Sequence, residues 1–327
     1  MKKILFASTA LVATAGVAAA DVSFGGYGRF GIGYVEDRAA AAAAGTNGVS
    51  DTVIVSRFRL NIDASAETDA GVKFSARVRM QADETAATGE AGVAGLNGAR
   101  FSVEYGGLRV DVGNIAGAID NLPGYYGNEP GLETFMGQYS GADYGFTAYT
   151  TNGTGDNGVY ARYAVGDFAV AASYEQAAGG TSTATVGDRF DIHAAYTFGN
   201  ITAALAYGET DTTVSQDMTV FTLEGNWGAF NGTLFVGDES VNTAAGVKDV
   251  SKSDTFYGIS AAYDISSATT INFAYGDGSG DGDTRNIGLG VIHDLGGGVS
   301  LRGGIGESKV GNADGQMRAD FGAQFSF

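Results

Sequence analysis

From Val22 onward the chain alternates apolar and polar residues in short, strict runs. Between Ser56 and Ala66, Phe58, Leu60, Ile62 and Ala64 oppose Arg57, Arg59, Asn61, Asp63 and Ser65. The next run sets Val72, Phe74, Ala76, Val78 and Met80 against Lys73, Ser75, Arg77, Arg79 and Gln81. In the first run, Phe24, Phe30, Ile32 and Tyr34 oppose Ser23, Tyr27 and Arg29. A period of two belongs to a strand whose faces meet different surroundings. Gly106-Gly107, Gly166-Asp167 and Gly199-Asn200 separate neighbouring runs and have the composition of two-residue hairpin turns. The final run sets Met317, Ala319, Phe321, Ala323, Phe325 and Phe327 against Arg318, Asp320, Gln324 and Ser326. No long helical periodicity appears, so the pattern predicts an antiparallel β meander.

A soluble sandwich also alternates, but its domains run to ~100 residues, and here one meander continues without a linker to Phe327. Aromatic residues gather at strand ends. Phe24, Tyr105, Phe168, Phe198, Trp227, Phe230, Tyr263 and Phe327 lie beside the short turns, and Tyr34, Tyr174, Tyr207 and Tyr275 toward the longer connections. Two aromatic girdles around an apolar band fit a membrane barrel with lipid outside and water inside. The expected fold is therefore all-β, a transmembrane antiparallel β-barrel whose polar parity lines a wet lumen. Residues 114–157 interrupt the meander and contain both prolines, Pro123 and Pro130. Proline is excluded from sheet interiors and a long irregular loop in a compact fold is usually functional. Read as loop, the segment leaves sixteen strands; if Phe135 to Tyr149 forms a hairpin, the count is eighteen.

The start, MKKILFASTALVATAGVAAA, has a basic n-region at Lys2 and Lys3, an apolar run and small residues Ala18 to Ala20, the features of a secretory signal peptide. The expected organisation is a signal peptide at 1–20 and a barrel at 21–327. Without Lys2 and Lys3, the 19 Lys and Arg fall to 17 against 37 Asp and Glu, a net charge of -20. Such a charge repels phosphate backbones, so nucleic acid is not an expected partner. The absence of cysteine removes disulfides, thiol catalysis and iron–sulfur ligation.

Charge is distributed unevenly along the chain. Segment 114–157 carries Asp120, Glu129, Glu133, Asp143 and Asp156 and no Lys or Arg, whereas Arg29, Arg57, Arg59, Lys73, Arg77 and Arg79 share the lumen parity of the first three strands. If the segment folds into the barrel, an acidic loop faces a basic wall across a narrow aqueous gap. The resulting transverse field orders water and orients dipolar solutes. It survives physiological salt because the Debye length is ~8 Å, comparable to such a gap. The same arginines could instead pair with wall carboxylates and stiffen the barrel, and the two roles are compatible.

The opening DVSFGGYGRFGIGYVEDR, the run SRFRLNIDASAETDAGVKFSARVRMQ, the strand pair SVEYGGLRVDVGN and the terminal ADFGAQFSF resemble the general diffusion porins of Rhodobacter-type alphaproteobacteria. The resemblance spans the chain and is strongest at its two ends. It implies sixteen strands, a homotrimer and a third loop folded inward as a constriction. It also implies a basic cluster of Arg29, Arg57, Arg59, Arg77 and Arg79, with Asp120, Glu129, Glu133 and Asp143 as acidic partners. Phe327, with Phe325 and Phe321, is similar to the terminal signal read by outer-membrane assembly machinery. Outer-membrane lipid, lipopolysaccharide and small hydrophilic solutes complete the expected partners.

Other functions are weaker on the residues. An enzyme would need a base; His193, beside Asp191 and Arg189, is the candidate, with His293 near a short turn, and both read better as barrel lining. No catalytic or metal residue and no cofactor is assigned, although Gly276 to Asp283 (GDGSGDGD) has the composition of a single calcium-binding loop. A sugar-specific channel would carry a ladder of lumen aromatics, and Tyr27 is a rare one. A plugged structural or adhesive barrel is disfavoured because sixteen strands enclose an aqueous channel. The leading expectation is passive diffusion of small hydrophilic solutes and ions, with weak cation preference.

Overall fold

The computed structural model describes residues 21–38, 50–85, 90–134, 136–176, 187–211, 215–242, 246–249, 254–280 and 282–327. The expected signal peptide lies outside them. Eighteen strands are described, of which Glu90–Ala91 and Gly95–Leu96 are two-residue pieces beside the third long strand. The other sixteen are β1 Asp21–Val35, β2 Thr52–Glu67, β3 Lys73–Thr85, β4 Arg100–Tyr105, β5 Leu108–Gly113, β6 Gly158–Val165, β7 Phe168–Glu175 and β8 Asp188–Phe198. They continue as β9 Ile201–Asp211, β10 Gln216–Trp227, β11 Phe230–Val241, β12 Thr255–Ser266, β13 Thr269–Gly278, β14 Thr284–Gly296, β15 Val299–Val310 and β16 Gln316–Ser326.

Each strand pairs antiparallel with the next, and β1 pairs with β16 from Tyr27–Ser326 to Val35–Arg318, so the sheet closes. Closure removes the free edges that an open sheet would expose to lipid. The last residue completes the seam. Gly26 N donates to Phe327 O at 2.9 Å, and Phe327 N donates to Gly26 O at 3.1 Å. Both glycines of Gly106-Gly107 have positive φ, 54° and 86°, the conformation that lets a two-residue turn follow the strand twist.

The apolar parity faces outward. Phe24, Phe30, Ile32, Ile54, Phe101, Leu205, Ile259, Leu289, Ile305 and Phe321 are all exposed, a surface that only an apolar solvent would cover. Aromatic stacking occurs near the short turns, with Trp227–Phe230 centroids 6.0 Å apart and Phe58–Phe327 5.8 Å. The connection from Asn114 to Asn157 contains none of the named strands, so the eighteen-strand alternative fails: the stretch up to Tyr149 is docked on the wall instead of pairing with itself, and Phe135 lies outside the described residues.

Candidate functional site: the lumen and its inward loop

The described residues of the 114–157 segment lie inside the barrel, held by three kinds of contact. The first is a small core: Ile119, Leu122, Tyr125 and Tyr144 of the loop pack on Met218 and Val220 of β10, Phe235 of β11 and Phe256 of β12. Tyr125 meets Phe235 edge-on at 5.1 Å. The second is a series of wall side chains that serve the loop backbone, which has no ladder of its own. Ser173 accepts from Ala118 N at 2.8 Å, and His193 Nδ1 donates to Ala118 O at 2.6 Å. Thr222 donates to Pro123 O at 2.6 Å, and Ser260 accepts from Asn128 N at 2.8 Å. Glu239 accepts from Asp143 N and Tyr144 N, each at 2.8 Å, and Asp320 accepts from Leu132 N and Glu133 N at 2.9 and 2.8 Å.

The third contact is a groove of paired glycines. Gly258–Gly276, Gly288–Gly306, Gly290–Gly304 and Gly31–Gly322 stand opposite one another on adjacent strands. Gln138 crosses the first pair, Met136 the second, Pro130 and Gly131 the third, and Leu132 the fourth. A Cβ at Gly258 would collide with the Gln138 carbonyl, so bare backbone is what admits the loop at this depth.

With the loop occupying the wall from β6 round to β1, the arginine-bearing wall of β2 to β5 is the side left to the lumen. Its guanidinium groups differ in how their charge is matched. Arg77 makes a two-pronged pair with Asp63, at 2.6 and 3.0 Å, and Arg109 does the same with Asp111 at 2.9 and 2.8 Å. Arg57 pairs with Asp83. Arg79 instead donates to the neutral amide of Asn61 at 2.8 Å, and Arg59 to that of Gln81. Arg59 lies over the Tyr27 ring at 5.2 Å; Arg79 and Arg100 lie over Tyr149 of the loop at 4.7 and 5.0 Å. Amides and ring faces hold Arg59 and Arg79 without cancelling their charge, whereas Arg100 also stands 3.9 Å from Asp111. Lys73 stands apart, exposed at the short-turn end of β3, in register with Glu67 and Glu104.

The loop acids occupy different places. Glu133 comes within 3.9 Å of buried Arg29, whose Nη1 donates to Leu132 O at 3.0 Å. Burial first, and the neighbouring Glu84 carboxylate second, push Glu133 up to about 7 despite Arg29. Asp120 accepts from the Tyr126 hydroxyl and, at 3.3 Å, from Tyr149 N, which sets it behind the ring that Arg79 and Arg100 cover. Glu129 accepts from the Tyr139 hydroxyl at 2.6 Å, and burial raises it above the ordinary carboxylate range. Asp143 sits where the loop backbone docks on β11, on the side of the barrel away from β2 and β3. Phe321, Phe325 and Phe327 project from the outer face.

Several residues at the site went unremarked in the sequence. Arg100 and Arg302 share the lumen parity but lie outside the first three strands, and counting parity through β4 and β15 would have found them; Arg318 stood on the polar parity of the final run but was not joined to the basic cluster. The docking side chains Ser173, Thr222, Glu239, Ser260, Asn272 and Asp320 carry no signal that separates them from water-facing residues. His193 is a buried loop anchor whose Nδ1 is taken by a carbonyl. Of the possible calcium loop, Asp283 accepts from Gly280 N at 2.7 Å and Asp281 lies outside the described residues.

A closed barrel with an outward apolar surface and an inward loop defines an architecture that several families share. The deciding observation is that the family model for Gram-negative porins matches residues 7–313. The chain belongs to the Gram-negative porins. A porin of Fuscovulum blasticum is 31% identical over 298 residues, covering 82% of this chain and 99% of the relative. A porin of Rhodobacter capsulatus is 29% identical over 296 residues, covering 83% and 93%. Among solved structures, variants of the Rhodopseudomonas blastica porin superpose with TM-scores of 0.76 and 0.77 at 28% identity, covering 94% of this chain and all of the other. This porin is thus an outer-membrane channel for passive diffusion.

Proposed function

We propose that the porin selects solutes at the gap between the arginine wall and the inward loop, where Arg57, Arg59, Arg77 and Arg79 face the loop that carries Asp120 and Glu133, and buried Arg29 ties that loop to β1 through Leu132 O. The observation that carries this reading is the neutral partnering of Arg59 and Arg79, which leaves two guanidinium charges uncancelled where the loop comes nearest. Size exclusion comes from the loop, and the field makes an apolar solute displace ordered water while small polar ones pass. Lys73 takes no part at the gap. The net acidity enriches cations near the mouths and gives weak cation preference overall.

In the same reading the first twenty residues direct export and are removed. The porin assembles as a homotrimer in lipid and lipopolysaccharide, and Phe327, with Phe325 and Phe321, addresses the outer-membrane assembly machinery. No catalytic role falls to His193.

Reversal potential in a planar bilayer under a KCl gradient tests the eyelet. Arg59→Gln with Arg79→Gln moves it further toward the cation side, and an unchanged value in a conducting variant would remove these arginines from the eyelet.

A further inference from the structure

Between the tip of the loop and the wall, at the end of the barrel that carries the longer connections, lies a cavity of about 460 Å³. Its charged lining comprises Arg29 of β1, Arg38 just beyond it, Arg57 of β2, Glu84 of β3, Glu133 of the loop and Arg318 of β16. Four guanidinium groups therefore meet two carboxylates.

The hydrogen bonding is incomplete on the basic side only. Arg29 is 6% exposed, and its Nε has no acceptor. The buried Nε atoms of Arg38 and Arg318 lack one as well, and neither residue has an ion pair among the described residues. Arg57 is held by Asp83 and, at 3.3 Å, by the Tyr27 hydroxyl. Glu84 is engaged on Ser56 N at 2.6 Å, and Glu133 stands 3.9 Å from Arg29, beyond hydrogen-bond distance. A buried guanidinium N–H without an acceptor is destabilising, so three such Nε atoms around one cavity are poorly explained as scaffolding, even with Arg29 Nη1 held by Leu132 O. An oxyanion would supply what is missing. Guanidinium forks match its oxygens two at a time, and the size is ordinary for a small-molecule site.

We propose that this cavity is a binding subsite for phosphate-bearing small solutes, occupied on the way to the gap. The inference rests on the diffusion-channel reading and deepens it: the porin retards and concentrates one class of anion although its overall charge is acidic. Arg29, Arg57 and Arg318 lie on the lumen parity of their strands, so the phosphate comes from an aqueous solute and not from a lipid headgroup outside the barrel.

The test is single-channel current in a bilayer of zwitterionic lipid, with inorganic phosphate replacing chloride at constant ionic strength. The wild-type current falls saturably as phosphate rises. In Arg38→Gln with Arg318→Gln, each current being scaled to that variant's own phosphate-free value, the half-blocking concentration rises about tenfold or more, as loss of charge-assisted contacts requires. Arg162→Gln, on β6 and outside the cavity lining, keeps the wild-type concentration. A linear, non-saturating response in the wild type, or the same half-blocking concentration in the double variant, overturns the proposal while leaving the channel reading intact. Absence of any phosphate-free current in inserted wild-type protein would instead overturn the channel reading.

Discussion

Glu133 is the residue on which loop position and lumen charge depend together. It is buried beside Arg29 and Glu84, and burial pushes it up to about 7. Folding therefore favours its protonated form, and its contribution to loop docking is greatest at low pH and declines as pH rises from the ordinary carboxylate range to about 7. Above that pH the lumen gains a negative charge. Cation preference should accordingly increase between pH 6 and 8, with a midpoint near 7 read from the reversal potential, and Glu133→Gln should flatten the profile; a variant that keeps the midpoint would assign it to another group. Glu239 works differently, by holding the backbone N–H groups of Asp143 and Tyr144. Glu239→Ala leaves both without an acceptor, at about 1–3 kcal/mol each. Limited proteolysis between residues 139 and 149 should become faster in that variant, and unchanged protection would show that the core around Tyr125 and Phe235 holds the loop alone. The inward direction of Arg29, Arg57, Arg59, Arg77 and Arg79 was legible in the sequence because charge on a strict alternation cannot face lipid. Asp191, His193 and Glu239 were not, because a wall side chain has the same sequence neighbours whether it meets water or a docked loop.

At the scale of elements, the strands and their two-residue turns follow from period and glycine alone. The sixteen-strand count also follows, because Pro123 and Pro130 mark the one segment that cannot join the sheet. The path of that segment does not follow, since a loop has no period and its course is set by partners far away in the chain. The glycine pairs that receive it become visible only in register: Gly258 and Gly276, or Gly31 and Gly322, are unrelated in sequence and opposite in the barrel. The inward-facing Met218, Val220, Phe235 and Phe256 likewise break the polar parity where the loop covers them. The groove makes a direct prediction. Gly258→Val fills the space of the Gln138 carbonyl while its exposed face and ladder bonds are unchanged, so the barrel should still fold and insert but conduct more, with noisier current. A wild-type conductance in that variant would mean that the loop adjusts without leaving the wall.

The whole molecule combines an acidic net charge, a basic wall and a loop that divides the lumen into a filled side and an open side. The filled side, from β6 round to β1, buries loop side chains against the wall. The open side, along β2 to β5, retains uncancelled positive charge. A barrel of sixteen strands would by itself leave a wide aqueous channel, so the account requires the loop to set the conductance. The direct measurement is single-channel conductance of the porin beside a variant lacking residues 121–139, which removes the tip and the glycine-groove contacts and keeps both ends of the loop. Ohmic steps in the intact porin that become larger in the shortened one are the predicted result. Equal steps would contradict the account, because the constriction would then lie elsewhere in the barrel.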